Sequence, residues 1–534
     1  MARRAETSTV AEAIPVALPV AHPVAHPVAH PVACSTGRRF ELSIAAQIGL
    51  LLVGHVALWT WVGLSSRSNF DAPGDMVEAY AWAQQFQWGY YKHPPLSAWV
   101  VGLWFALLPA TPLAYSLLAA LNGAIGLAGL AWLAREFLPP RWVLLVVAVA
   151  SLAPGITALA MRFNANAILV STWPWAMALF VRLMRHGRAR DAVLCGVACA
   201  LALLGKYYSA VLLLSLLASA LWLPAWRRRL PTAPVALALA VFLLALAPHL
   251  SWLLAQAQGP IEYARAATGH QSPTQSWSRA IHFGLAQVVF PLLAFTALQR
   301  SLVGPARRRA FWQAATAALR PRNEPLWLIA MLPVVATVVI TLATAARTAS
   351  VWGLAIAAGL ALLAVDRARA AGGRLDVRRL WTTLAAIWAA VALLSPLWWQ
   401  ARAALGTPSV SEPRAELAQA LQRSWRRETG RPLPWVSGTR KLAASTAFYA
   451  GDHPRYWSLW NSAVETPWAD RADIAARGAL IVCDDGDAEC RQRAASWSSD
   501  RRTLSVAKSA RGYHFPPRSY VFYFVHPRGL PRPH

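Results

Sequence analysis

Charge is scarce in this chain, and negative charge is scarcer still. Only 14% of its 534 residues are charged, with 24 Asp and Glu against 51 Lys and Arg. Soluble domains come close to a quarter charged, so an ordinary soluble protein is excluded. There is no internal repeat of the kind that inverted-repeat transporters carry. A signal peptide is not expected either, because the first apolar span starts too late and runs too long. Cysteines number five. Cys195 and Cys199 lie in an apolar run and read as small packing residues, and Cys34 lies in the N-terminal arm.

What remains is apolar. The chain is 56% hydrophobic with a mean hydropathy of +0.37. Leu, Ala, Val and Trp fall in runs of about 17–23 residues, enough to cross a hydrocarbon core of roughly 30 Å. The composition is that of a polytopic helical membrane protein. The formal charge of +27 does not point to nucleic acid, because the basic residues sit in short loops between apolar runs, as the positive-inside rule requires. Arginines of the arm and tail suit anionic lipid headgroups or an anionic substrate.

Residues 1–40 carry Arg3, Arg4 and "VAHPVAHPVAHPVA". Proline at every fourth position forbids a helix, so an extended cytoplasmic arm is expected. His22, His26 and His30 read as repeat expansion rather than a metal site. Residues 41–400 form the membrane domain, with spans expected at 41–63, 113–134, 142–160, 167–183, 191–206, 207–224, 233–253, 281–298, 325–345, 350–365 and 380–400. The Arg-rich loops around Arg182–Arg190, Arg227–Arg229, Arg300–Arg309 and Arg367–Arg379 can all be cytoplasmic together. The loop with Arg135 and Arg141 joins them only if residues 96–111 dip into the outer surface without crossing. About 11 spans plus one interfacial helix follow, in a bacterial plasma membrane.

This topology gathers the first outer loop (64–95), "MRFNAN", "GKYY", "PHLSW", Arg347 and the tail on one extracytoplasmic face. Residues 401–534 read as a small α/β domain. "PRAELAQALQRSWRRETG" is an amphipathic helix closed by Gly430, and "TRKLAASTAFYAG" a second helix. "LPWVSG", "GALIVC" and "SYVFYFV" are strands. Cys483 and Cys490 are expected to pair if that face is oxidising.

The first outer loop, "FDAPGDMVEAYAWAQQFQWGYYKHPPLSAW", concentrates the scarce carboxylates. Helical spacing puts Asp75, Glu78 and Trp82 on one face. Gly89 permits a bend, and Pro94-Pro95 fixes an extended approach to the next helix. Carboxylates among aromatic faces (Trp82, Tyr90, Tyr91) suit a sugar, and Lys92 with His93 suits a phosphate. Lys206, followed by Tyr207, stands between apolar runs and is either a functional cation or a snorkelling one. His249 and Arg162 read as satisfied polar groups at helix ends.

"DMVEAYAWAQQFQWGYYKHPPLSAW" resembles the first outer loop of the GT-C glycosyltransferases that use polyprenyl-phosphate sugars, including the glycosyltransferase family 39 and protein mannosyltransferase-like proteins and the lipid A aminoarabinose transferases. The likeness continues through "NANAILVSTWPW", "LLGKYYSAVLL" and "PHLSWL". It implies an inverting transferase that moves a sugar from a polyprenyl-phosphate donor to a lipid A, glycan, lipid or protein acceptor. Asp75 takes the place of the catalytic base, and Glu78 the acidic position after it. Lys92 and His93 fall where the family places groups near the lipid phosphate or a metal. Many members carry an Asp where this chain has Asn164 and Asn166. With a phosphate leaving group no general acid is needed, so one base and a set of cations suffice: Lys92, His93, Lys206 and Arg347. No cofactor is certain; a divalent metal stays open, with Glu78, His93 and His249 as its candidate ligands. The alternative is a transporter or flippase of a lipid-linked or anionic substrate.

Overall fold

A computed structural model describes residues 42–256, 259–269, 271–289 and 292–528. The arm, with its His repeat and Cys34, lies outside the described residues. Helices occupy most of the expected spans. They begin with α1 (Ile44–Ser65), α2 (Asp75–Ala83), α3 (Leu96–Leu107), α4 (Pro112–Arg135), α5 (Pro140–Ala150), α6 (Ile168–His186), α7 (Ala189–Gly205) and α8 (Ser209–Trp222). Among the described residues, six segments are long and apolar enough to cross a membrane: α1, α4, Ala233–Ala255, Pro273–Ser301, Pro325–Thr344 and Val377–Ala404. The starts follow local chemistry. Ser43 and Thr111 each accept a backbone N–H in the first turn of α1 and α4.

Two spans differ from expectation. The helix expected over 142–160 stops at Ala150, and residues 151–167 run on as turns. Pro154 lacks a backbone donor and Gly155 lies against the backbone of Leu354, so "APG" breaks the helix. The span expected from 350 opens as a single 3-10 turn, Ser350–Gly353, with α-helix only over Ile356–Ala370. Within the bundle α4 packs on α1 and α6, α6 on α7, and α7 on Ala233–Ala255. Small residues permit this closeness: a Cβ on Gly126 of α4 would lie 2.2 Å from the Val170 carbonyl of α6.

Past residue 413 the chain forms a mixed five-stranded sheet. Its spatial order is Arg455–Tyr456, Trp435–Gly438, Ala479–Asp484, Tyr513–Val525, Arg501–Ala510. The first three strands are mutually parallel and the last two antiparallel to their neighbours. The helices Arg414–Thr429, closed by left-handed Gly430, and Arg440–Tyr449 pack together beside it. Cys483 and Cys490 form a disulfide. Strand Arg501–Ala510 escapes the sequence reading because its side chains are mostly polar and exposed, and Arg455–Tyr456 because it is two residues long.

The sheet domain is fastened to the loop between α1 and α3. Arg414, almost fully buried, donates to the carbonyls of Asp71 and Ala72 at 2.8 and 2.9 Å. Phe448 meets Phe70 and Tyr80 edge-on, each with ring centroids 4.9 Å apart. At the tip of the final hairpin, Arg511 donates to the Leu64 and Ser65 carbonyls, which satisfies acceptors that a helix C-terminus leaves open.

Candidate active site

The site begins with the turn into α2. Gly74 sits in the left-handed region at φ +89°, with Lys441 of the sheet domain over it. Ahead of it, the Asp71 carboxylate accepts from the backbone N–H groups of Gly74, Asp75 and Met76 at 3.0, 2.8 and 3.3 Å. A helix N-terminus needs such acceptors. Burial, then repulsion from Asp75, raises the Asp71 pKa, and Arg162 at 3.9 Å is the ion-paired cation that opposes this. Asp71 precedes the helix and is not among the site residues expected from sequence. It is the residue that anchors Asp75.

Along the next turns Glu78 and Trp82 face the loop that carries "WGYYKH". Lys92 Nζ donates to both Glu78 oxygens at 2.7 and 2.9 Å. Tyr91 Oη donates to Glu78 at 3.4 Å, and Arg440 of the sheet domain lies 3.4 Å from the same carboxylate. Trp82 stacks on Tyr90 at 5.3 Å and meets Tyr91 and His93 edge-on at 5.8 and 6.4 Å. Gly89 is not in a left-handed conformation, so a bend is not what requires glycine there. Its neighbour does: a Cβ would lie 2.2 Å from the Trp252 ring. Burial pushes the His93 imidazole down to about 3, and repulsion from Lys206 and Lys92 adds to this. His93 is therefore neutral at pH 7 and is not a cation there.

The other wall comes from the turns after α5. Asn164 Oδ1 accepts the Asn166 and Ala167 backbone N–H groups at 2.9 and 3.1 Å. That fixes which way the amide points, so its Nδ2 donates to Asp75 Oδ2 at 3.0 Å. Asn at this position brings a donor to the Asp75 carboxylate, where an Asp would bring a second negative charge. Lys206, buried at the end of α7, donates to Asn166 Oδ1 and lies 4.8 Å from the Trp352 ring centroid. Its ammonium also lies within the field of Asp75.

Other expected members stand apart. His249 uses both ring nitrogens, Nδ1 toward the Trp88 carbonyl at 2.6 Å and Nε2 toward Tyr207 Oη at 3.2 Å. Because a carbonyl only accepts, Nδ1 carries the proton and Nε2 accepts from Tyr207. Glu78, His93 and His249 are not grouped as metal ligands among the described residues. With Glu78 held by Lys92, this donor set does not fit a metal, which corrects the ligand set expected from sequence. Arg347 is exposed on the segment after Pro325–Thr344 and makes no hydrogen bond or ion pair among the described residues. Arg440 and Trp352 were missed; neither has a local signal, since only the fold brings them to the loop.

Beside Asn164 opens a cavity of about 780 Å³. Trp59 and Val62 of α1 and Val391, Leu394 and Trp398 of Val377–Ala404 give it apolar walls, and Arg67, Arg162, Arg402 and Asp71 supply its charges. A carboxylate held by a neutral donor, a lysine beside it and a partly apolar cavity at the ends of membrane-length helices can accept a proton from a hydroxyl while holding an anion.

The chain thus joins an apolar helical bundle, a loop that carries such a carboxylate and an α/β domain fastened to that loop. Residues 92–252 match the family described as dolichyl-phosphate-mannose-protein mannosyltransferase. The chain is 26% identical over 326 residues to the lipid A galacturonosyltransferase RgtD of Rhizobium johnstonii, a match that covers 59% of this chain and 64% of that protein. The fold resembles ArnT from Cupriavidus metallidurans bound to undecaprenyl phosphate, with a TM-score of 0.58 and 17% identity over 92% of this chain and 100% of that one. The apo ArnT structure gives 0.56 and 18% over 90% and 98%. The chain is thus similar in part of its sequence to these membrane glycosyltransferases, and in fold to ArnT.

Proposed function

We propose that this protein is an inverting glycosyltransferase that moves a sugar from a polyprenyl-phosphate donor to an acceptor hydroxyl on the extracytoplasmic face of a bacterial inner membrane. The observation that carries the reading is the Asp75 carboxylate, hydrogen-bonded by Asn164 and faced by Lys206. The acceptor oxygen attacks the anomeric carbon and its proton passes to Asp75. The bond from that carbon to the phosphate oxygen breaks, and polyprenyl phosphate leaves with the electron pair. Lys206, bonded to Asn166, makes no ion pair with a carboxylate among the described residues, so it is assigned to the leaving phosphate. Trp82, Tyr90 and Tyr91 are buried and packed on one another, so they shape the loop beside Glu78. RgtD acts on lipid A and ArnT binds undecaprenyl phosphate, which favours transfer over flipping and a lipid or glycan acceptor over a protein.

The same reading assigns residues 1–40 to a cytoplasmic arm, 41–400 to the membrane domain with about 11 spans, and 401–534 to an extracytoplasmic domain. The 12 residues of α3 rise roughly 18 Å at 1.5 Å per residue, short of a crossing and consistent with an interfacial helix. The disulfide is what an oxidising compartment favours. Asp75→Asn keeps size and loses the base. Transfer from an undecaprenyl-phosphate-linked sugar should drop by about 10²–10⁴-fold, while undecaprenyl phosphate binding persists. Near-normal turnover in this variant would remove Asp75 from the mechanism.

A further inference from the structure

We propose that the loop joining Pro273–Ser301 to Pro325–Thr344 is a binding site for anionic phospholipid headgroups of the leaflet it faces, with Arg308, Arg309 and Trp312 as its central contacts. The proposal concerns the protein's hold on its membrane and goes beyond the transfer reaction. Two membrane-length helices bound the loop, and a third, Val377–Ala404, starts just after the strand it pairs with. The loop therefore sits where helices leave the hydrocarbon core. It is folded rather than slack. Leu302–Val303 pairs antiparallel with Arg374–Leu375, and the Asp376 N–H donates to the Ser301 carbonyl at 3.0 Å. Gly304 turns the chain in the left-handed region at φ +87°. The helix Arg307–Ala315 then packs on Ile356–Ala370, with Ala310 and Ala314 buried.

The outward side of that helix carries the chemistry. Arg308 and Trp312 stand at i and i+4 on one face, and Trp312 is 64% exposed. Arg307, Arg308 and Arg309 are exposed, as are Arg300 just before the loop and Arg374 on the paired strand. Arg374 lies against the turn, its Cδ 3.5 Å from where a Cβ on Gly304 would stand. Residues 301–323 contain no Asp or Glu. The ion pairs described nearby use Arg367 and Arg379 instead. The exposed guanidinium groups thus repel one another with no internal anion between them, and a phosphodiester relieves that. A soluble anion would use the charges and leave Trp312 and Leu319, which is 78% exposed, in water. A membrane surface uses both, arginines at the phosphates and the indole at headgroup level. Arg188 and Arg190 at the start of α7 are exposed too, but that helix has no aromatic residue to seat beside them.

The test uses the full-length protein in detergent, taken as the monodisperse fraction from gel filtration. Native mass spectrometry follows the binding of phosphatidylglycerol, of phosphatidylcholine with the same acyl chains, and of inositol hexakisphosphate. Wild-type protein should bind phosphatidylglycerol roughly tenfold or more tightly than phosphatidylcholine, and added salt should narrow the gap. Arg308→Gln and Arg309→Gln should each weaken phosphatidylglycerol by about fivefold and leave phosphatidylcholine alone. Arg308→Lys combined with Arg309→Lys keeps the charge and should keep most of the binding. Trp312→Ala should weaken both phospholipids and leave inositol hexakisphosphate unchanged. The control is Arg188→Gln combined with Arg190→Gln, which should bind phosphatidylglycerol as wild type does. Equal losses in that control would overturn the proposal, since any basic loop would then serve. Equal wild-type affinity for the two phospholipids would overturn it as well. So would inositol hexakisphosphate bound as tightly as phosphatidylglycerol, which would make the loop a site for soluble anions. No turnover is read, so failure here leaves the glycosyltransferase reading as it stands, and a fully active Asp75→Asn would leave this site as it stands.

Discussion

Lys92 tests how far the Glu78 pair is structural rather than a spare phosphate cation. Its two bonds of 2.7 and 2.9 Å to Glu78 are made with side chains only 13% and 9% exposed. Removing one partner of a buried pair costs about 3–5 kcal/mol, mostly because the other charge is left uncompensated. Arg440, 40% exposed and 3.4 Å away, still faces Glu78 in a Lys92→Met variant, so the expected loss is nearer about 2–3 kcal/mol. Glu78→Gln added to Lys92→Met removes the stranded charge and should recover about half of that loss. The measurement is the thermal midpoint of the detergent-purified protein, followed by gel filtration of the surviving folded fraction, for both single variants and the double. Undecaprenyl phosphate binding is measured in parallel at a temperature where all are folded. If Lys92→Met keeps the wild-type midpoint and loses only undecaprenyl phosphate, the pair is not structural and Lys92 belongs with the phosphate.

His93 carries a pH prediction. Its pKa is pushed down from an unfolded value near about 6.5 to about 3, so its contribution is present above pH ~6.5 and lost progressively as pH falls toward ~3. With the ring only partly buried, wild-type protein should lose about 1 kcal/mol between pH 7 and 5 that His93→Gln does not lose, measured as midpoints at both pH values; parallel losses would refute it. Asn164→Asp places a second carboxylate against Asp75, so the acid limb of the transfer pH profile should move up by about one unit; an unmoved limb would mean that Asn164 does not face the working base. The orientation is tested through Cys483 and Cys490: a membrane-impermeant maleimide should label them in intact spheroplasts only after reduction. Labelling only after lysis would place the tail on the wrong side, and labelling of intact spheroplasts without reductant would refute the disulfide.

The sequence disclosed what depends on neighbours along the chain. Apolar runs, caps and the Pro-Pro approach gave the helices, and the i, i+3, i+7 spacing gave the Asp75–Glu78–Trp82 face. Two of the tail's helices and three of its strands were legible for the same reason. Longer-range relations were not. Nothing in "TRKLAAS" says that Arg440 crosses to Glu78, and nothing near Lys92 says that its charge is already answered. Asn164 was read as a missing Asp, because only the backbone donors on its Oδ1 show that its amide must point a proton at Asp75. The Glu78–His93–His249 grouping failed because a set of residue types was taken for a geometry.

The clasp between sheet domain and outer loop has a consequence in time. Arg414 holds the Asp71 and Ala72 carbonyls across 343 and 342 residues, and Arg511 holds the end of α1 across 446 and 447. A ribosome delivers the loop with Asp75 early and these arginines hundreds of residues later. Throughout that interval the turn that aims the base stands without its supports. A protein cut short before Arg414 would carry its base without either clasp, and one cut between Arg414 and Arg511 would keep the first and lose the second.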